Sequence, residues 1–256
     1  MELVNNVAII TGGASGLGRG TVEKFVAEGA KVAIFDMNEA AGSAIANELG
    51  DNVIYQNVNV TDEESVQAGI NQVMETFGAV HVCCNYAGIG SACKTLSKKG
   101  AYPLADFSFV LQVNLIGTFN VLRLAAEQMA KNDPLNEDGC RGVIINTASV
   151  AAYEGQVGQA AYSASKGGIV GMTLPIARDL ASYGIRVNTI VPGLIHTPLF
   201  EQVEEKMYKS LEQQVVFPKR LGKTSEIAQL AANIVENDYI NGECIRMDGA
   251  IRMQPR

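Results

Sequence analysis

The chain has 256 residues, 47% of them hydrophobic, with 26 glycines and a formal net charge of −7. Such a composition suits one compact α/β domain and excludes a disordered or fibrous chain. The acidic balance counts against nucleic acid as the main partner, and no apolar run approaches the roughly 20 residues of a membrane-crossing helix.

The first strand pattern begins within a few residues of Met1. No room is left for a signal or transit segment, so a reducing, cytoplasmic setting is expected. Strand-like runs follow in chain order at 7–11, 31–36, 52–58, 79–85, 142–149, 185–193 and 243–249. Several are apolar almost throughout, as in a parallel sheet buried on both faces. Helical patterns lie between them near 16–29, 38–49, 62–77, 104–131, 159–182 and 224–237. Thr61-Asp62-Glu63-Glu64 offers a cap for the third helix, and Gly29 and Gly50 are placed to stop the first two. The alternation predicts a doubly wound Rossmann fold, a parallel seven-stranded sheet with helices on both faces. With no linker and no repeat, residues 1–256 read as a single domain. Insertions are expected near 91–103 and 131–142, and a substrate lid near 197–217.

The stretch TGGASGLG (11–18) leaves the first strand and opens the first helix. Gly12, Gly16 and Gly18 allow a tight turn and a close approach of backbone N–H groups to a pyrophosphate. The spacing is neither the common G-x-G-x-x-G nor a Walker loop. Asp36 ends the second strand, where a carboxylate can accept from a ribose diol and repel a 2′-phosphate. At about 4 Å and an effective dielectric near 20, that repulsion is worth about 4 kcal/mol, enough to select NAD over NADP. Met37 and Asn38 follow, so no arginine reverses the choice.

AAYSASKGG (160–168) sets Tyr162 and Lys166 four apart, on one helix face, among small residues. A phenol titrates near 10, so a base working at neutral pH has to lie about two to three units lower. The neighbouring ammonium is expected to supply that shift, helped by a cationic oxidised nicotinamide. Ser149 sits past the apolar strand at 143–147, where it could hold the reacting oxygen.

Together these motifs resemble the short-chain dehydrogenase/reductase family, from Thr11, Gly12, Gly16 and Gly18 through LQVNLIGTF with Asn114 to Ser149, Tyr162-x-x-x-Lys166 and Pro192-Gly193. They span nearly the whole chain and are jointly specific. The resemblance implies a catalytic set of Asn114, Ser149, Tyr162 and Lys166. It implies a cofactor site drawing in addition on Ser15, Leu17, Asn59, Val60, Asn85, Ala87, Gly88, Pro192, Gly193, Ile195 and Thr197. Lys166 would hold the nicotinamide ribose, and Asn114 would keep a water that relays protons through it. Where the family has Asn-Asn-Ala-Gly, this chain reads Asn85-Tyr86-Ala87-Gly88, so Tyr86 is a departure beside the adenosine half.

Within the family, 141–180 and 248–255 are most similar to dehydrogenases of hydroxyacyl-CoA and hydroxysteroids, one of them mitochondrial. That likeness implies NAD-dependent interconversion of L-3-hydroxyacyl-CoA and 3-ketoacyl-CoA, a homotetramer, and a mitochondrial address should the source be eukaryotic. Gln156 could touch the substrate, Met207 and Leu211 could line an acyl pocket, and Lys98 and Lys99 could attract the phosphates of coenzyme A. Two other readings stay open: a dehydrogenase of a free secondary alcohol or hydroxysteroid, and a non-catalytic scaffold subunit. The five cysteines form no CxxC pair and there are two histidines, so no metal site is expected. His81 reads as structural, and His196 lies near the expected mouth of the site.

Overall fold

The computed structural model describes residues 1–198 and 205–255, with Met207 by its backbone alone. Its first half alternates β1 (Val7–Thr11), α1 (Gly16–Ala27), β2 (Lys31–Asp36), α2 (Glu39–Leu49), β3 (Val53–Asn57), α3 (Glu63–Phe77) and β4 (Val82–Asn85). A hairpin of β5 (Leu96–Ser97) and β6 (Gly100–Ala101) precedes α4 (Leu104–Leu111) and α5 (Gly117–Met129). Then come β7 (Gly142–Thr147), α6 (Ala160–Leu180), β8 (Ile185–Pro192), α7 (Glu205–Gln214), α8 (Thr224–Glu236) and β9 (Cys244–Met247).

Seven strands pair in parallel in the order β3-β2-β1-β4-β7-β8-β9. The pleat sends successive side chains to opposite faces. Ala8, Ile10, Ile34 and Ile145 therefore pack with Val22 and Phe25 of α1 and Ile227 and Ala231 of α8. Ile9, Phe35, Cys83 and Ile144 pack on the other side with Ile70 of α3, Leu122 and Met129 of α5 and Ile176 of α6. Each large side chain so buried contributes about 1.5–3 kcal/mol. This double burial explains why the strands read as apolar runs. The chain winds outward from β1 to β3, returns to β4, and continues the other way. A crevice therefore opens beyond the carboxyl ends of β1 and β4.

The helix ends follow the expected chemistry. The Asp62 carboxylate accepts from Glu64 N and Ser65 N at the start of α3, and Gly50 ends α2 with φ 81°. Four expectations need correction. The helix expected over 104–131 is broken by a π turn at 112–116, because the Asn114 amide is tied to the main chain of Ile89. The strand expected over 142–149 stops at Thr147, since Ser149 Oγ accepts from Ala151 N and caps a short 3-10 turn. The insertion near 91–103 is no plain loop: its hairpin turns at Lys98-Lys99, with Lys99 N donating to Ser97 Oγ. The helix Leu104–Met129 is long and apolar enough to cross a membrane, yet one face is buried against the sheet and α3. Of the lid expected near 197–217, α7 is described; residues 199–204 and the Met207 side chain lie outside the described residues.

A buried arginine joins β8 to the end of α8. Arg186, 7% exposed, donates to the carbonyls of Ile234, Val235 and Ile240 and pairs with Asp238. It satisfies last-turn carbonyls that α8 cannot satisfy itself. Arg186→Met leaves the Ile234 and Val235 carbonyls without this donor, for an expected loss of about 3 kcal/mol. Thermal unfolding monitored by circular dichroism should show a midpoint lower by roughly 6–12 °C.

Candidate active site

The crevice is a cleft of about 540 Å³. One wall is the glycine turn, with Gly12, Ser15, Gly16, Leu17 and Gly18. The close approaches demand glycine. A Cβ on Gly12 would lie 2.9 Å from Ala87 N, and one on Gly18 would lie 2.1 Å from Gly12 O. Gly12 and Gly16 also have φ of 65° and 51°. Ser15 caps α1 with backbone alone, and the first turn of α1 carries no acid. Its leading N–H groups, unlike those of α2 and α3, receive no side-chain acceptor among the described residues. They face the cleft with the positive end of the helix, which fits a pyrophosphate.

The second wall is built from strand ends. Asp36 Oδ2 accepts from Ala14 N at 3.0 Å and Oδ1 from Asn38 N at 2.9 Å, so its carboxylate is fixed at the rim. Asn59 Oδ1 accepts from Thr61 N and its hydroxyl, which shapes the turn carrying Val60. Ala87 N donates to Thr11 Oγ1, holding Ala87 and Gly88 beside the glycine turn. Thr197 closes the far side against Gly16, its Cγ2 3.6 Å from where a Cβ would stand.

Six expected cofactor residues do not line this cleft: Tyr162 and Lys166, which belong to the catalytic set, and four others. Asn85 is buried and donates to Asn146 Oδ1 on the neighbouring strand. Pro192 ends β8 beside Met247, and a Cβ on Gly193 would meet Asp248 at 2.7 Å. Ile195 is 6% exposed and faces the core beside Gly222. Conversely, Met37, Ile89, Phe109 and Val113 line the cleft without having been singled out. The last two are four apart, one helical turn, just before Asn114, which was the available signal. Tyr86 also lines it, and its hydroxyl meets Thr21 Oγ1 at 3.0 Å, tying the end of β4 to α1.

The catalytic set lies past the Gly88 end of the cleft. A Cβ on Gly88 would stand 3.1 Å from Asn114 Oδ1 and 3.7 Å from Lys166 Nζ. Asn114 accepts from Ile89 N and donates to Ile89 O and Ser165 Oγ, locking the cofactor loop to the π turn and to α6. Lys166 is 5% exposed; its Nζ donates to Thr147 O at 2.7 Å and lies 5.7 Å from the Tyr162 ring centroid. Burial lowers the ammonium to about 8. Tyr162 departs from expectation. Burial pushes its phenol above the ordinary value, and the Ser149 hydroxyl only partly offsets this.

The outer residues are engaged elsewhere. Gln156 Nε2 donates to Gln254 O rather than pointing freely at a substrate. His81 Nδ1 accepts from Val7 N and is structural, while His196 Nδ1 meets the Tyr208 hydroxyl of α7 at 3.1 Å. All five cysteines are free thiols, and burial raises Cys83 to about 12. Among the described residues no cluster of His, Cys, Asp or Glu could hold a metal.

Lys166 opposes folding. Its value falls from 10.5 unfolded to about 8 folded, a penalty of about 3 kcal/mol. Between those values the unfolded chain binds more protons, so the penalty is full below about pH 8 and fades as pH rises through 10.5. Allowing for the lost bond to Thr147, Lys166→Met should be about 1 kcal/mol more stable at pH 7. Denaturant titrations should show that gain shrinking toward pH 10.

Comparison with known proteins agrees with this geometry. The model of the family described as short chain dehydrogenase matches residues 6–208. The chain is 57% identical to human 3-hydroxyacyl-CoA dehydrogenase type-2 over 251 residues, 97% of this chain and 96% of that one. It is 51% identical to the Drosophila melanogaster protein of the same name, covering 98% and 99%. The crystal structure of 3-hydroxyacyl-CoA dehydrogenase type-2 from Mycobacterium avium superimposes with a TM-score of 0.95 at 42% identity, covering 98% of each chain. With a cleft shaped for a dinucleotide and likeness over nearly the whole chain, the protein belongs to the short-chain dehydrogenase family and is an oxidoreductase using a nicotinamide cofactor.

Proposed function

We propose that the protein interconverts L-3-hydroxyacyl-CoA and 3-ketoacyl-CoA with NAD. The observation that carries this reading is the Tyr162 phenol, facing Ser149 and Lys166 just beyond the dinucleotide cleft. The substrate class is supported by relatives of that name at 51–57% identity over nearly their full length. In oxidation Tyr162 Oη takes the proton of the substrate hydroxyl, and in reduction it returns it. Ser149 Oγ donates to the reacting oxygen. Lys166 uses one N–H on Thr147 O and has two left for a ribose hydroxyl. A nicotinamide cofactor held by these residues would supply the hydride acceptor or donor and, when oxidised, a positive charge that favours the phenolate. Asn114 holds Ile89 and Ser165 in register, so cleft and catalytic helix keep their spacing.

Asp36 supports NAD over NADP. Both its oxygens are fixed by backbone N–H groups at the rim, so it cannot swing away from a 2′-phosphate. We also propose a homotetramer, supported by the exposed side chains of Phe119 on α5, Leu174 on α6 and Tyr183 just past α6.

NADH oxidation with acetoacetyl-CoA tests the reading. Fast wild-type turnover is expected, with at least about a hundredfold loss of kcat in Tyr162→Phe. Absence of wild-type turnover with NADH still bound would remove the acyl-CoA assignment and favour a free alcohol or hydroxysteroid. In the same assay NADPH should be weaker than NADH by about a thousandfold in kcat/KM, and Asp36→Ala should erase most of that difference.

A further inference from the structure

The segment after β9 turns back sharply. Ala250 has φ 63° and Gly249 φ 57°, so two successive residues occupy the left-handed region, one of them with a side chain. Strain of this kind persists only where surroundings enforce it. Here Asp248 Oδ1 accepts from Ala250 N, and Arg246 grips Asp248 Oδ2 with Nε at 2.8 Å and Nη2 at 2.6 Å.

The reversed chain then crosses the loop between Ser149 and Tyr162. Glu154 in that loop accepts from Arg246 Nη1 at 2.8 Å and from Met253 N at 3.1 Å, and pairs with Arg252 at 3.3 Å. Gln156 Nε2 donates to Gln254 O and Val157 N donates to Pro255 O. Met253 packs on the apolar cluster of Ala148 and Val150, which flank Ser149. Gly249 O accepts from Val216 N and Phe217 N, just after α7. One short segment therefore touches both the catalytic loop and the last residues of the expected lid.

We propose that residues 246–255 are a strap that positions Ser149 and Tyr162 through Glu154, making Glu154 and Arg246 positioning residues for hydride transfer. The inference rests on the reading of Ser149 and Tyr162 as the reacting pair. The ionic grip suits the task. Arg246, above all, keeps the Glu154 carboxyl below its usual range, so the strap stays charged at working pH. A bidentate guanidinium fixes direction as well as distance, which a lysine would not. The dinucleotide cleft is made by other segments, so loosening the strap leaves cofactor binding alone.

The test compares wild type, Glu154→Gln and Arg252→Ala in three readouts: kcat with acetoacetyl-CoA, the Kd of NADH by fluorescence, and hydrogen exchange of residues 150–158. Arg252 is 62% exposed, so its variant folds even should Glu154→Gln fail to. Expected are loss of exchange protection in 150–158, kcat lower by about tenfold in Glu154→Gln and less in Arg252→Ala, and NADH affinity within twofold of wild type. Unchanged protection, or lost protection with kcat retained, overturns the proposal, as does a parallel loss of NADH binding. Should wild type fail to turn over acetoacetyl-CoA, the substrate reading fails by itself, and the exchange data still decide whether the strap orders the loop.

Discussion

Lys166 brings an ammonium group to a place where 5% of its surface remains exposed. Nothing in the fold needs it there: a methionine would pack with no charge to desolvate. The position makes sense only as chemistry held against stability, and neighbouring features accommodate it. Thr147 O at the end of β7 receives one N–H, Gly88 clears space on one side, and the Tyr162 ring offers its face on another. The helix that carries Lys166 is rich in alanine, serine and glycine, so it can lie this close to the strand ends.

Around that point the sheet supplies rigidity and the loops supply recognition. Reversal of strand order between β1 and β4 opens the crevice; most of its lining comes from residues at or just past strand ends, with Phe109 and Val113 added from α4 and the π turn. Among the described residues, the first turn of α1 keeps its N–H groups free while α2 and α3 close theirs with Asn38 and Asp62. Asp36 has a double role. It holds the glycine turn through Ala14 N and sets the charge at the rim. The Asn114 amide pairs with both main-chain groups of Ile89, and the π turn is the backbone consequence.

Much of this was legible in the amino-acid order. Strands buried on both faces announce themselves as apolar runs, and Tyr162 and Lys166 share a helix face by spacing alone. What stayed hidden depends on distant partners. The π turn follows from a bond between residues 25 apart in sequence. Gln156, expected at the substrate, meets Gln254, 98 residues away. Ile195 faces the core because Gly222 passes beside it. The upward shift of Tyr162 in the protein by itself comes from burial, which the sequence does not show. Spacing gives proximity, while the local dielectric needs the whole surrounding shell.

The most direct measurement is therefore the titration of Tyr162 itself. Carbon-13 NMR of ring-labelled tyrosine, assigned with Tyr162→Phe, would follow the phenol with and without oxidised cofactor. The account predicts titration above the ordinary 10.0 for the protein by itself and a fall of more than about two units with the cofactor bound. A phenol already at or below 10.0 without the cofactor, or one that its binding does not move, would contradict the claim that burial raises Tyr162 and the cofactor's charge brings it back into working range.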